Sequence, residues 1–359
     1  MTNLLFPTTV VGSMPRPNYI QELLNPEIRK TLSEEEFNKR LENAILFVVD
    51  LQKQAGVNII SDGEWRRLSY IGVIADLLDG FKRELKDGLW WHTITEELSW
   101  KNKGLFSKEA KFVLDNRKTK LKVALPSPFL IGSRMWNETD SKNAYLTRED
   151  FMRDLVPFLR EEIQKLAKAG VSIVQIDDPH LCLFVDPEYR AKFKDAEKEC
   201  SFGVELINEV VKGIDDIEIA VHLCRSSGTR NRNLKKGKKT GFVGKGGYDF
   251  ILPFINQLKV NQLAMEFADP ESGDVSVLEH IPNKKIGFGC VDCRPSVFNK
   301  SEEIVKNVEK ALEYVDKERI LLNPDCGFAP GNAAPVSIDQ AYDKLKEMVK
   351  ASNVLKGKY

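Results

Sequence analysis

Residues 170–179, Gly170-Val171-Ser172-Ile173-Val174-Gln175-Ile176-Asp177-Asp178-Pro179, decide the fold. Ahead of them, Leu155, Leu159, Ile163 and Leu166 recur at the spacing of one helical face, and Gly170 ends that helix. The run Val171 to Ile176 is then nearly continuous in apolar and β-branched residues, the pattern of a strand covered on both faces. It stops abruptly at Asp177-Asp178-Pro179. Helix, glycine, buried strand and polar terminus together make one unit of an α/β protein with a parallel sheet.

The same unit recurs in both directions along the chain. Runs at Thr9 to Gly12, Val57 to Ile60, Leu121 to Leu125, Ile217 to Val221, Gln262 to Met265, Lys285 to Gly289 and Arg319 to Leu322 bring the strands to eight. Capping pairs Ser33 with Glu36 and Ser337 with Gln340 open helices, and Ser301 is expected to cap another through Ile304, Val308 and Ala311. Eight such units predict a (β/α)8 TIM barrel, read as one catalytic domain over 1–359. A probable insertion at 79–120, rich in charge and tryptophan, follows the second strand. Barrel active sites form at the C-terminal ends of the strands. There the sequence places Gly12-Ser13, Asp62-Gly63-Glu64, Asp177-Asp178, His222-Leu223-Cys224, Glu266, Cys290-Val291-Asp292 and Asn323-Pro324-Asp325-Cys326.

Composition narrows the function classes. The 359 residues carry 53 basic and 53 acidic side chains, which argues against a basic nucleic-acid coat and against an acidic disordered chain. The longest apolar run, Ala44 to Val49, is far short of a membrane span, and no signal sequence opens the chain, so a soluble, cytoplasmic protein is expected. Six cysteines at irregular spacing are no disulfide framework and leave metal binding or buried thiols as their uses.

His222 and Cys224, two apart at a strand end, project to one side, and Glu266 and Cys326 end the sixth and eighth runs. One nitrogen, two sulfurs and a carboxylate oxygen at a common mouth suit Zn2+. Two thiolates and a carboxylate over-neutralise the dication. The site is therefore poor at making hydroxide and better suited to holding an incoming thiol as its nucleophilic thiolate. Alkyl transfer to sulfur is expected over hydrolysis.

These segments resemble the cobalamin-independent methionine synthase family, in its C-terminal catalytic barrel and its short single-barrel relatives. The likeness runs through Val11-Gly12-Ser13, Asp62-Gly63-Glu64 with Arg66-Arg67, Gln175-Ile176-Asp177-Asp178-Pro179, His222-Leu223-Cys224, Glu266 and Asn323-Pro324-Asp325-Cys326-Gly327. The resemblance implies zinc held by His222, Cys224, Glu266 and Cys326, and homocysteine methylated to methionine. Ser13, Glu64 and Asp177 fall on family positions that bind the amino-acid part of homocysteine. Glu64 and Asp177 suit its ammonium, and the turn at Gly12 and Ser13 suits its carboxylate.

The sequence departs from the family pattern in two places. Longer members carry a second, N-terminal barrel with no counterpart here. They also have a histidine after the seventh strand, where Arg294 stands at or near the position, with Asp292 beside it. Arginine does not release a proton at neutral pH, so Asp292 or water would protonate the leaving group of a methyltetrahydrofolate donor. Relatives that use methylcobalamin proteins, or that join coenzyme M to an epoxide, keep an alternative alkyltransferase in view. A non-catalytic zinc or nucleic-acid binding barrel is a second one. Of the remaining candidates, Cys290 and Cys293 are expected to pack rather than to act as a redox pair, and His180 is expected to be an ordinary loop histidine. Cys182 and Cys200 have no evident partner. The basic stretch Arg225 to Gly247 is expected to be a long mobile loop able to gather an anionic substrate. Its few aromatics argue against nucleic acid.

Overall fold

The structure is a computed structural model that describes residues 4–86, 89–225, 244–269, 272–329 and 336–359. Among the described residues nine strands occur in chain order: β1 (Ile59–Ile60), β2 (Leu78–Lys86), β3 (Leu89–Trp100), β4 (Lys120–Pro126), β5 (Ile173–Asp177), β6 (Glu218–Leu223), β7 (Gln262–Glu266), β8 (Lys285–Val291) and β9 (Ile320–Pro324). All but β2 and β3 form one parallel sheet in the order β1-β4-β5-β6-β7-β8-β9. The extended segment at residues 8–9 closes it, since Thr8 bridges in parallel to Leu322 of β9 and Thr9 to Ile59 of β1. Eight parallel positions thus form the expected (β/α)8 barrel, and each of the eight apolar runs supplies one.

The helices between these positions follow their sequence signals. Ser33 caps Glu34–Gln54, and its hydroxyl accepts from the Glu36 amide at 3.1 Å. Arg148–Ala169 ends at Gly170, whose φ of 88° suits a residue without a Cβ. Ser337 and Gln340 form a complete capping box at the head of Ile338–Lys358. Ser301, expected as a cap, is instead the first helical residue, with Lys300 at the cap position. Two connections show shorter helical pieces in their described residues. Among the described residues, the connection between β6 and β7 holds one helical turn, Leu252–Ile255, and that between β7 and β8 a 3-10 helix, Val275–His280. Pro253 stands in the first turn of Leu252–Ile255, where its missing amide hydrogen is tolerated, and Pro282 follows the 3-10 helix and cannot continue it.

The stretch 79–120 holds two kinds of structure. Strands β2 and β3 pair as an antiparallel hairpin. The helix Leu105–Asn116 that follows stands in chain order between β1 and β4, where the barrel needs its second helix.

Side chains on one face of a strand recur every second residue. Ile59, Ile173, Ala220 and Leu321 form a small buried cluster of their own, apart from the main core between sheet and helices. Two residues further along the same strands stand Gln175, His222 and Asn323, and two further again Asp177, Cys224 and Asp325. The columns thus run from an apolar floor through a polar layer to the C-terminal rim. Replacing Leu321 with alanine should lower stability by about 2–5 kcal/mol in denaturant unfolding, because it would leave a cavity beside Ile59, Ile173 and Ala220. Leu146→Ala, at a side chain 72% exposed, should change it by less than about 0.5 kcal/mol. Equal effects of the two substitutions would show that the floor is not packed.

Candidate metal centre and active site

Register brings the rim residues together. Asp177 of β5 is the parallel partner of His222 of β6. The His222 Nδ1 lies 3.2 Å from Asp177 Oδ1, and its Nε2 lies 3.4 Å from the backbone oxygen of Asp325. Cys224, just past β6, meets Cys326, just past β9, with 3.4 Å between their sulfurs. The donor atoms of His222, Cys224 and Cys326 all lie within 4.8 Å of one another, the one such group among the described residues, and all three side chains are buried. They can hold a metal ion.

Without a metal, this cluster keeps its protons. Hydrogen bonding to Cys326, then burial, pushes the Cys224 thiol well above its ordinary range. Burial opposes charge on His222, but its bonds to Asp177 and Cys224 outweigh that and raise it to about 10. An entering metal would therefore displace protons, as thiolate and imidazole sites require.

Glu266 is buried at the end of β7 but is not a member of that group of three. Its Oε2 accepts from the Arg225 amide at 3.0 Å and lies 3.4 Å from the Arg225 guanidinium. Arg225 itself is buried, stacks over the Tyr248 ring and donates to the Ser272 carbonyl at 2.6 Å. It is an anchored residue, unlike the member of a long mobile loop expected there. The rest of the basic stretch, residues 226–243, lies outside the described residues.

Glu64 faces the same rim. Its φ of +58° is rare for a residue with a side chain, and the Asp62 carboxylate helps to hold the turn by accepting from the Glu64 amide at 2.9 Å. Gly12 makes room for it, because a Cβ there would sit 2.3 Å from Glu64 Oε1. Burial raises Glu64 to about 7 against the pull of Arg67, and the charge of Asp177 adds to the rise. Ser13 lies between this acid and the cysteine rim, with its Oγ accepting from the Ala329 amide at 3.2 Å and its carbonyl from the Phe328 amide at 3.0 Å.

Asp292 and Arg294 are engaged with each other. The Arg294 Nε donates to both Asp292 oxygens, at 3.0 and 2.8 Å, and the second carboxylate that Arg294 faces is Asp269, at 3.6 Å. Cys290 and Cys293 are buried thiols directed at the carbonyls of Asn323 and Cys326, which is packing rather than redox pairing. His180 lies against Tyr189, 3.3 Å from its hydroxyl.

Sequence reasoning passed over two groups. Asp325, quoted only inside a motif, is buried and accepts from three successive amides, Phe267, Ala268 and Asp269, at 3.0 to 3.1 Å, so it shapes the loop beyond Glu266. Lys122, inside the apolar run of β4, is 1% exposed, and burial lowers its ammonium to about 8 although Asp177 and Glu218 oppose that. A lysine in the middle of a buried strand was the available signal.

Residues 6–354 match the family described as "Cobalamin-independent synthase, Catalytic domain". A methionine synthase of Saccharolobus islandicus is 28% identical over 364 residues, covering 98% of this chain and 95% of that one. Another from Pyrococcus horikoshii is 28% identical, with 98% and 93% covered. Among solved structures, a B12-independent methionine synthase from Shewanella sp. W3-18-1, in complex with selenomethionine, superposes with a TM-score of 0.79 at 24% identity, covering 99% of this chain and 98% of that one. A putative vitamin-B12 independent methionine synthase from Listeria monocytogenes gives 0.73 at 22%, with 96% of each covered. The rim motifs, the closed barrel and the family match over nearly its whole length agree: the chain belongs to the cobalamin-independent synthase family, through its catalytic domain.

Proposed function

We propose that this protein transfers a methyl group to the thiol of homocysteine, giving methionine, at a zinc ion held by His222, Cys224, Cys326 and Glu266. The observation that carries the reading is the convergence of three buried donors beside Asp177 at the mouth of the barrel. Two sulfurs each about 2.3 Å from a tetrahedral zinc stand roughly 3.8 Å apart, close to the 3.4 Å between Cys224 and Cys326. One nitrogen and two sulfurs are also a donor set that zinc favours. When bound, zinc supplies a place where a thiol exists as its thiolate at neutral pH. On this reading residues 1–359 act as one catalytic domain.

The other residues orient the amino acid. Glu64 and Asp177 take its ammonium, and Gly12 and Ser13 present the turn that receives its carboxylate. Asp177 also turns the His222 ring by accepting from Nδ1, which leaves Nε2 for the metal. On the donor side, Asp292 and Arg294 act as a closed ion pair. Both Asp292 oxygens are occupied as acceptors, so the pair positions a donor rather than protonating its leaving group.

Three outcomes test this reading. Cys326→Ser should weaken zinc binding by more than the roughly 10–100-fold that loss of an outer hydrogen-bond partner costs. Cys200→Ser should leave metal content unchanged, so equal zinc in the two purified variants would remove Cys326 from the site.

Glu64 gives the pH dependence. With its carboxyl raised to about 7, it is mostly neutral below that pH and pairs with an ammonium only above it. Methionine, which has no thiol proton to confuse the count, should bind more weakly as pH falls from 8 to 6. Its binding at pH 7 should release roughly half a proton, read by calorimetry in buffers of different ionisation enthalpy. Glu64→Gln should abolish both effects, and a wild-type affinity flat across this range would exclude the assignment.

For the donor, methyltetrahydrofolate should turn over more slowly than methylcobalamin by roughly 10²-fold or more, since its departing amine needs a proton that this ion pair does not hold. Methyltetrahydrofolate as the faster donor, in matched assays, would reverse that assignment.

A further inference from the structure

Below the rim, the polar layer contains a buried ammonium that the chemistry above does not consume. Lys122 Nζ donates to the Val10 carbonyl at 2.9 Å and to Gln175 Oε1 at 3.1 Å. Gln175 is itself completely buried, and its Nε2 donates to the Val11 carbonyl at 2.9 Å and to Asp177 Oδ1 at 2.7 Å. Asp177 Oδ1 is the atom facing His222 Nδ1. We infer that Lys122 and Gln175 are positioning residues that set the direction of the hydrogen bonds leading through Asp177 to His222 Nδ1, and so the nitrogen His222 offers to a metal. This rests on the functional reading above.

The argument follows from which groups can only give or only take. An ammonium has hydrogens and no lone pair, so the Gln175 atom beside it must be the carbonyl oxygen. That turns the Gln175 amide hydrogens toward Val11 and Asp177. A flipped amide would face its NH2 against the ammonium and its oxygen against a carbonyl and a carboxylate, losing three bonds and gaining three repulsions. An ionised carboxylate only accepts. Asp177 Oδ1 therefore takes one hydrogen from Gln175 and one from His222 Nδ1, and the nitrogen left to a metal, once the metal has displaced its hydrogen, is Nε2. Asp177 Oδ2 accepts no hydrogen bond among the described residues, which leaves it for the substrate ammonium. One fixed amide beneath the site thus serves both the metal ligand and the amino-acid pocket.

A lysine kept only to fill the barrel would behave differently. Its loss would cost stability without reaching the metal, and a methionine of similar length would replace it. The test is a double-mutant cycle of Lys122→Met and Gln175→Leu. It reads zinc affinity by chelator competition, KM and kcat for homocysteine, and thermal unfolding as a check on folding. Nitrogen-15 spectra of the zinc-loaded, histidine-labelled wild-type protein add a measurement that needs no variant. We expect Lys122→Met to weaken zinc about tenfold and to raise KM by a similar factor with a smaller change in kcat. In the Gln175→Leu background it should add little, since its effect passes through Gln175. The spectra should show hydrogen on His222 Nδ1 and metal on Nε2.

Wild-type zinc affinity and KM in Lys122→Met, strictly additive losses in the double variant, or metal on Nδ1 in the wild type would each overturn the inference. Should Lys122→Met fail to fold, the wild-type spectra still decide. A wild-type protein that binds no zinc would overturn the functional reading itself, a result distinct from a zinc enzyme indifferent to Lys122.

Discussion

A polar group that points into the lumen of a small parallel barrel must find its partner on another strand, because water has little access and an unmet donor or acceptor there costs about 1–3 kcal/mol. The rest of this structure depends on that constraint. Lys122 of β4 answers to Val10 and to Gln175 of β5, Gln175 to Asp177, Asp177 to His222 of β6, and Asp325 beyond β9 to the amides beyond β7. Each bond ties neighbouring or opposite parts of the ring, so the contacts that satisfy the lumen also fix where the rim side chains stand. Folding and site assembly are one event at this end of the barrel.

The eight strand positions were legible because burial on both faces leaves an unbroken apolar run, and each run stops where its residues reach the rim. The triad that can hold a metal was legible for the same reason: His222, Cys224 and Cys326 are polar residues at strand ends, and a barrel sends all its strand ends to one mouth. Features that depend on the partner rather than on the residue could not be read this way. Arg225 looks like the first member of a charged run, yet Glu266, Tyr248 and Ser272 enclose it. Asp292 and Arg294, two apart, gave no sign in sequence that they would close on each other. Ser301 carries a capping side chain, but the backbone begins its helix one residue earlier than that role requires.

Glu64 and Gly12 show how local backbone and chemistry are coupled. A carboxylate is brought against the barrel wall by a residue with positive φ, and the wall yields because it has glycine at the point of contact. The group ends in a dry position with Arg67 3.9 Å away. That combination of burial and an incomplete ion pair holds its proton equilibrium near neutrality, where the arrival of a cation can tip it.

The closure between residues 8–9 and β9 has a consequence for the order in which the molecule can be made. Thr8 must wait for Leu322, the Ser13 hydroxyl for the amide of Ala329, and the Phe6 carbonyl for the hydroxyl of Ser352, 346 positions later. At a synthesis rate of about 5–20 residues per second, the first strand spends roughly 15 seconds or more without its neighbour. The strands made before β9 exist meanwhile as an open sheet, with Cys224 at a rim that still lacks Cys326. The ribosome thus releases the candidate metal site only with the final seam, and a chain cut short before β9 has neither a closed ring nor Cys326 beside His222 and Cys224.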